Sequence, residues 1–310
     1  MIKLSKEDLK NKIIDVHTHS AGVALGQLLI GKYSYAQDIC DLSEKLTDNN
    51  VDFAITFPMT YPIYFNIREM KYNKRYIASG NDEFPYCSEN RALFKMIEDM
   101  RLKNLIPFPA VSTNSEIEKQ IELLFELDNT YGIQGLKYHP KIERKSVLSE
   151  EFKPFVNFAI EKNIPIIVHT DMSDEANPIN IIKLSSNYAE LRVCVAHCAH
   201  FDLKFWEKME YCPNVFVDTS PFLRVCNDIG KMDDKKEKID MDYYHPVEVI
   251  KRLYALAPRQ IMWGTDIPYN RFVDKDVVIQ YHDEKKLLDE SGLASEMSEN
   301  TIRFLFGEPS

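Results

Sequence analysis

The sequence predicts an α/β fold, a closed (β/α)8 TIM barrel with insertions after strands 2 and 7. Three observations carry this. Short apolar runs alternate with longer helix-like segments through the whole chain. Its 310 residues accommodate the roughly 250 that such a barrel needs, with room for insertions. Five of its eight histidines stand at the C-terminal ends of the apolar runs, the end at which barrels of this kind build their sites.

The apolar runs cover 13–19, 51–59, 106–112, 133–139, 164–170, 192–198, 215–219 and 261–266. Most are rich in Ile, Val and Phe, as parallel strands covered on both faces must be. Helical spacing fills the gaps. Segment 115–127 brings Ile117, Ile121, Leu124 and Phe125 together, with acidic residues opposite. The pattern predicts further helices over 150–162, 178–190, 202–211, 246–256, 274–289 and 295–306. Asp202 is a candidate cap, and Pro246 stands in a first turn, where its missing N–H is tolerated.

This alternation favours a closed barrel over an open doubly wound sheet. A nucleotide-binding version of the open sheet needs a glycine-rich loop after the first strand. None is present, and the chain has only 10 glycines. One domain spanning 1–310 is expected. Two gaps are long, 60–105 (with a helix expected at 90–103) and 220–245. Segments that follow strands reach the C-terminal face, so both are expected as partial lids, with peripheral decoration or a dimer contact as the plainer alternative.

Hydrophobic residues at 45% and charged residues at 28% are the balance of a globular chain. A net charge of −10 lacks the basic footprint that nucleic acid requires. The run 231–238 mixes both signs and reads as a solvated loop. Cysteines 40, 87, 194, 198, 212 and 226 form no C-x-x-C pair and read as reduced thiols. No signal-peptide stretch opens the chain, and no apolar run approaches the roughly 20 residues of a membrane span. The expected compartment is the cytoplasm, with a small-molecule substrate, no nucleic acid and no membrane. A homodimer is an open expectation for barrels of this kind.

The chemistry collects at the strand ends. His17 and His19 in Asp15-Val16-His17-Thr18-His19 are two apart on a strand and point the same way. Both can address one ion, and imidazole suits zinc and similar metals. A lone H-x-H is more often ordinary polar surface; its distant partners raise this one above that reading. His169 closes the fifth strand, where the plain alternative is a core histidine bonded to a carbonyl. Beside the first pair it becomes a third nitrogen ligand. Asp266 ends the eighth strand as a helix cap or as an acidic ligand able to accept a proton from water.

His197 ends the sixth strand and can hold a substrate oxygen or shuttle a proton. His200 is a supporting residue, Cys198 belongs to the barrel wall, and His245 and His282 are peripheral. Gly135-Leu136-Lys137-Tyr138-His139-Pro140 ends the fourth strand, with Lys137 and His139 on one face. A lysine in a barrel mouth is costly without a task. Lys137 can bind a substrate carboxylate, bridge two metals if carboxylated, or pair with the pocket acids.

Together, Asp15-Val16-His17-Thr18-His19, Gly135-Leu136-Lys137-Tyr138-His139-Pro140, Val168-His169, Ala196-His197, Gly264-Thr265-Asp266 and the closing 300–307 resemble the amidohydrolase superfamily. The set is most similar to its amidohydrolase-related branch, which includes aminocarboxymuconate-semialdehyde decarboxylase. The resemblance implies one divalent ion, zinc foremost, on His17, His19, His169 and Asp266, or two ions if Lys137 is carboxylated. It implies that His197 assists catalysis.

The expected reaction is hydrolysis of an amide, ester or lactone by activated water. Asp266 takes the proton, and His197 stabilises the oxyanion. Lys137 and His139 are further catalytic candidates, and Lys137, Tyr138, His139, Arg224 and Arg271 are the candidate substrate contacts, with Arg68 a further guess from loop position. A decarboxylase (lyase) of an unsaturated or aromatic acid is the alternative, and a non-catalytic binding barrel the rival from another class. Two departures from the pattern stand out. Cys198-Ala199-His200 occupies the place of a glycine-rich turn, and 220–245 is particular to this chain.

Overall fold

The structure, a computed structural model, describes residues 3–24, 37–59, 62–269 and 279–307. Its strands are β1 (Ile14–Ser20), β2 (Phe53–Pro58), β3 (Leu105–Pro107), β4 (Ala110–Val111), β5 (Leu136–Tyr138), β6 (Ile166–Val168), β7 (Val193–Val195), β8 (Val215–Asp218) and β9 (Ile261–Met262). Their ladders are parallel, in the orders β1-β2-β3 and β4-β5-β6-β7-β8-β9.

The two sheets are parts of one barrel. β3 and β4 are the two ends of the third expected strand. It breaks at Pro107-Phe108-Pro109 because proline has no N–H for a ladder. Across the break, Phe108 N–H still donates to Thr56 O and Lys137 N–H to Pro109 O, both at 2.9 Å. The other seam is closed by Val16 N–H to Trp263 O (3.0 Å), Asp266 N–H to His17 O (2.7 Å) and His19 N–H to Ile267 O (2.8 Å). The expected barrel is therefore the observed one.

Strand alternation sorts the core into two layers. Ile55, Phe57, Ile106, Phe108, Ile167, Cys194, Phe216 and Met262 form the inner cluster, with Leu9 and Phe304 packed on it from the chain's two ends. Ile166, Val168, Val193, Val195, Val215 and Val217 face the helices. Gly135 leaves room inside the barrel, since a Cβ there would fall within the Phe108 ring.

Helices Ile117–Tyr131, Lys153–Glu161, Ile179–Asn187, Leu203–Met209, Pro246–Leu256 and Ala294–Phe306 lie where the spacing predicts them. The helix expected at 90–103 is Cys87–Asp99, and the one expected at 274–289 is Tyr281–Ser291, with 274–278 outside the described residues. Among the described residues no helix is long and apolar enough to cross a membrane.

Both long gaps contribute to the cavity at the strand ends, through Pro62 and Arg224. After β2, a short turn at Pro62–Tyr64 precedes an antiparallel bridge between Phe65 and Ala78. After β8 comes the helix Phe222–Gly230, and the chain then returns along the turn that follows β7. Leu203 N–H donates to Glu237 O (2.9 Å), Ile239 N–H to Phe201 O (3.0 Å), and the Phe201 and Tyr243 rings meet at 4.9 Å. The segment 231–245 thus braces that turn from its flank.

Candidate metal centre

β1 carries an irregularity at its most consequential point. Asp15 pairs with Ala54 and Thr18 with Thr56, so three steps on β1 match two on β2. Such a bulge re-aims side chains. Asp15 turns to the helix side, where it accepts from Thr265 Oγ1 (2.7 Å) and Tyr281 Oη (3.0 Å). His17 and His19 turn into the barrel mouth. The chain after β9 comes close beside them. A Cβ on Gly264 would stand 2.9 Å from His17 Cβ and 3.3 Å from Ser220 Cβ. Glycine there lets Asp266, itself left-handed at φ 56°, reach the histidines.

His17 Nε2, His19 Nε2 and Asp266 Oδ1 converge, all within 4.8 Å of one another. Asp266 Oδ1 lies 3.2 Å from His19 Nε2 and 3.5 Å from His17 Nε2. The protons on these rings follow from their outer partners, which only accept. His17 Nδ1 donates to Asp218 Oδ2 (2.8 Å) and His19 Nδ1 to Pro58 O (3.0 Å). Both Nε2 atoms therefore present lone pairs to a carboxylate.

Burial, and then the Lys137 charge, pull His17 down to about 3, and burial lowers His19 as well. Burial would raise the Asp266 carboxyl. In their protonated forms, His19 in contact with it and the His17 and His197 rings beside it hold it well below the usual carboxylate range. Two imidazole nitrogens and a carboxylate oxygen turned to one point, with the Lys137 ammonium already drawn to His17 Nε2 at 3.2 Å, fit a cation, and two imidazoles with a carboxylate are a donor set for a divalent transition metal.

His169 lines the same cavity but stands outside that mutual reach. Its position comes from a second proton chain. His197 Nδ1 donates to Ser220 O (2.6 Å), which leaves its Nε2 to accept, and His169 Nδ1 donates to it (2.8 Å). His169 Nε2 keeps its lone pair, and the ring stacks on His139 at 3.7 Å and 16°. Burial drives the pKa of His139 and His169 well below the ordinary histidine value, with Lys137 and neighbouring imidazoles adding to it.

Lys137 is fully buried, with Nζ 3.2 Å from His17 Nε2 and 4.3 Å from the Phe57 ring centre. Burial brings its pKa down to about 8, against the pull of Asp218 and Asp266. His139 Nδ1 accepts from Ile142 N–H (3.4 Å) at the start of the helix Pro140–Glu143.

These groups open into a cavity of about 410 Å³ lined by His19, Pro62, Lys137, His139, Lys141, Ile142, His169, His197, Arg224, Asp266 and Tyr269. A larger groove of about 610 Å³, near Leu4 and Leu102 at the N-terminal strand ends, contains no histidine. Lys141 at the rim pairs with Asp171 (2.6 Å), and Arg224 Nη1 donates to Tyr269 O (3.2 Å).

Other expected residues fall elsewhere. Tyr138 is a correction: it does not line the cavity. Lys137 before it and His139 after it face the mouth, so alternation sends it into the wall. There its hydroxyl donates to Lys145 O (2.8 Å), meets Thr113 Oγ1 (3.0 Å), and its ring packs on Phe152. Arg68 is exposed and does not line the cavity, and Arg271 lies outside the described residues. His200 Nε2 donates to Thr170 O (2.9 Å), Cys198 is buried, and His245 and His282 are exposed beside Asp242 and Asp283.

Asp218 was missed. It closes β8, one residue before the end of the seventh expected strand, as a buried acid, much the signal that singles out Asp266. The turn after β7 also has a physical account. His197, Cys198, Ala199, His200 and Phe201 all have φ between 49° and 64°. They adopt, at a cost of about 1–2 kcal/mol per residue, the left-handed path that glycines would follow freely.

An amidohydrolase family model matches residues 96–306, more than half of the chain and beginning after the β1 histidines. No curated protein matches the chain. Three solved structures share its architecture. A probable 2-pyrone-4,6-dicarboxylic acid hydrolase from Acinetobacter baumannii, with citric acid bound, aligns at TM-score 0.60 and 14% identity over 96% of this chain and 100% of that one. A 5-carboxyvanillate decarboxylase from Novosphingobium aromaticivorans, complexed with manganese and 4-hydroxy-3-methoxy-5-nitrobenzoic acid, aligns at 0.64 and 10% over 98% and 99%. An amidohydrolase from Burkholderia multivorans with bound zinc aligns at 0.58 and 13% over 96% and 100%. At these identities the likeness establishes the fold.

Proposed function

The chain belongs to the amidohydrolase family, and we propose that it is a metal-dependent hydrolase of an amide, ester or lactone in a small anionic molecule. The observation that carries this reading is the meeting of His17 Nε2, His19 Nε2 and Asp266 Oδ1 as three lone-pair donors. These residues would hold one divalent ion, zinc or manganese, with His169 Nε2 as a further donor from the facing wall. Such an ion polarises a carbonyl and brings the pKa of water towards about 7.

The chain's own groups account for the rest. Asp266, kept ionised, accepts the proton of the attacking water. His197 exchanges the His169 Nδ1–H contact at its Nε2 for the proton that Asp266 has taken up, because its Nδ1–H is committed to Ser220 O. Once protonated, it donates from that atom to the developing oxyanion or the leaving group. Lys137 meets a carboxylate or carbonyl oxygen of the substrate from the buried side, and Arg224 and Lys141 meet an anionic end at the rim. His139 supports His169 by stacking.

The second reading is decarboxylation of an aromatic or unsaturated acid. The 5-carboxyvanillate decarboxylase among the structural relatives favours it, and so does a buried lysine able to hold a carboxylate. Incubating the metal-loaded chain with lactones, amides and hydroxylated aromatic acids separates the two. Ring-opened or cleaved acids support hydrolysis, and released carbon dioxide supports decarboxylation. Turnover of none of these classes would contradict both.

A further inference from the structure

Asp218 has a place in the site that neither composition nor the family match assigns. Its carboxylate is fully buried and its two oxygens do different work. Oδ2 accepts from His17 Nδ1 at 2.8 Å. Oδ1 accepts from His197 N–H (3.1 Å), Ser220 N–H (3.0 Å) and Ser220 Oγ–H (2.6 Å). Ser220 O in turn takes the proton of His197 Nδ1 at 2.6 Å.

We propose that Asp218 is the positioning residue that joins the two halves of this site. One oxygen fixes the His17 ring so that its Nε2 lone pair faces the ion. The other fixes Ser220 and the left-handed turn, so that His197 accepts at Nε2. The inference rests on the metal reading above.

The chemistry makes Asp218→Asn a specific test. Two backbone N–H groups point at the Oδ1 position, so the amide oxygen stays there and the NH2 turns to His17 Nδ1. An NH2 donor requires a bare Nδ1, which moves the His17 proton to Nε2 and hides the lone pair that the ion needs. The shape of the site is kept while the proton on one ring is inverted, an effect that a merely structural role for Asp218 does not produce.

Two readouts decide it. Nitrogen-15 NMR of the histidine rings in the metal-free chain reports the His17 tautomer. The unaltered chain is expected to carry the proton on Nδ1, and D218N on Nε2. Titration calorimetry with Mn²⁺ or Zn²⁺ alone is expected to give D218N about 10- to 100-fold weaker binding, the range for losing an outer partner of a ligating histidine. S220A, which removes only the Oγ contact, is expected to keep the Nδ1–H tautomer of His17.

An Nε2–H tautomer in the unaltered chain overturns the inference, and this holds even if D218N does not fold. Equal ion affinity in D218N and the unaltered chain overturns it too. If the unaltered chain binds neither ion, the metal reading fails separately. The NMR tautomer then decides the role of Asp218 on its own.

Discussion

Lys137 Nζ lies 3.2 Å from His17 Nε2, on the same lone pair that a metal ion would use. An ammonium and a divalent cation compete there. At an effective dielectric constant near 20, two unit charges about 4 Å apart interact by about 4 kcal/mol. Lys137→Met removes the competing charge. It is expected to tighten Mn²⁺ or Zn²⁺ binding at least about tenfold by calorimetry, while abolishing turnover of an anionic substrate. Loss of bound ion in K137M would instead mark Lys137 as a carboxylated ligand bridging two metals.

Tyr138 gives the opposite kind of prediction. Its hydroxyl serves Lys145 O and Thr113 in the barrel wall and does not reach the cavity. Tyr138→Phe is expected to cost about 0.5–1.5 kcal/mol in stability, read as a lower midpoint in urea. Ion affinity and substrate KM are expected to stay unchanged. A raised KM in a variant of normal stability would put Tyr138 back among the substrate contacts.

Glu143 predicts a pH dependence away from the metal centre. Ser112 Oγ–H, Thr113 N–H and Asn114 Nδ2–H all donate to Oε2, while Oε1 is buried with no hydrogen-bond partner among the described residues. Burial raises the carboxyl from 4.5 to about 7, against those hydrogen bonds. The folded chain therefore holds this proton more tightly than the unfolded chain does. Its contribution to stability is fully present below about 4.5 and lost as pH rises through about 7. The shift corresponds to on the order of 3 kcal/mol. The Tm of the unaltered chain is expected to fall between pH 5 and 8 more steeply than that of E143Q. Asp15, raised to about 7 by its own burial, leaves some slope in both. Equal slopes would contradict the assignment.

The barrel and most of the site can be read from the residues, for a simple reason. Parallel strands buried on both faces leave continuous apolar runs, and a polar residue ending such a run faces the mouth. That rule finds His17, His19, His169, His197 and Asp266. Applied evenly it also finds Asp218, which closes Val215–Asp218 in the same way. What stayed hidden depends on backbone geometry that no run of side chains encodes. The bulge between Asp15 and Thr18 decides which side of β1 faces inward. The break at Pro107 and Pro109 splits one strand into β3 and β4. The left-handed path of 197–201 is taken by five non-glycine residues, braced by the returning segment around Ile239. Tyr138 was misplaced by adjacency in sequence, although the alternation that faces Lys137 and His139 to the mouth already turns it away.

The central claim is that His17, His19 and Asp266 bind one divalent ion. The most direct test is elemental analysis of the purified chain after equilibration with Mn²⁺ or Zn²⁺, beside His19→Ala. The account predicts about one ion per chain for the unaltered protein and a near-complete loss in H19A with the fold intact by circular dichroism. An unaltered chain that retains no ion, or an H19A variant that retains the full complement, would contradict it.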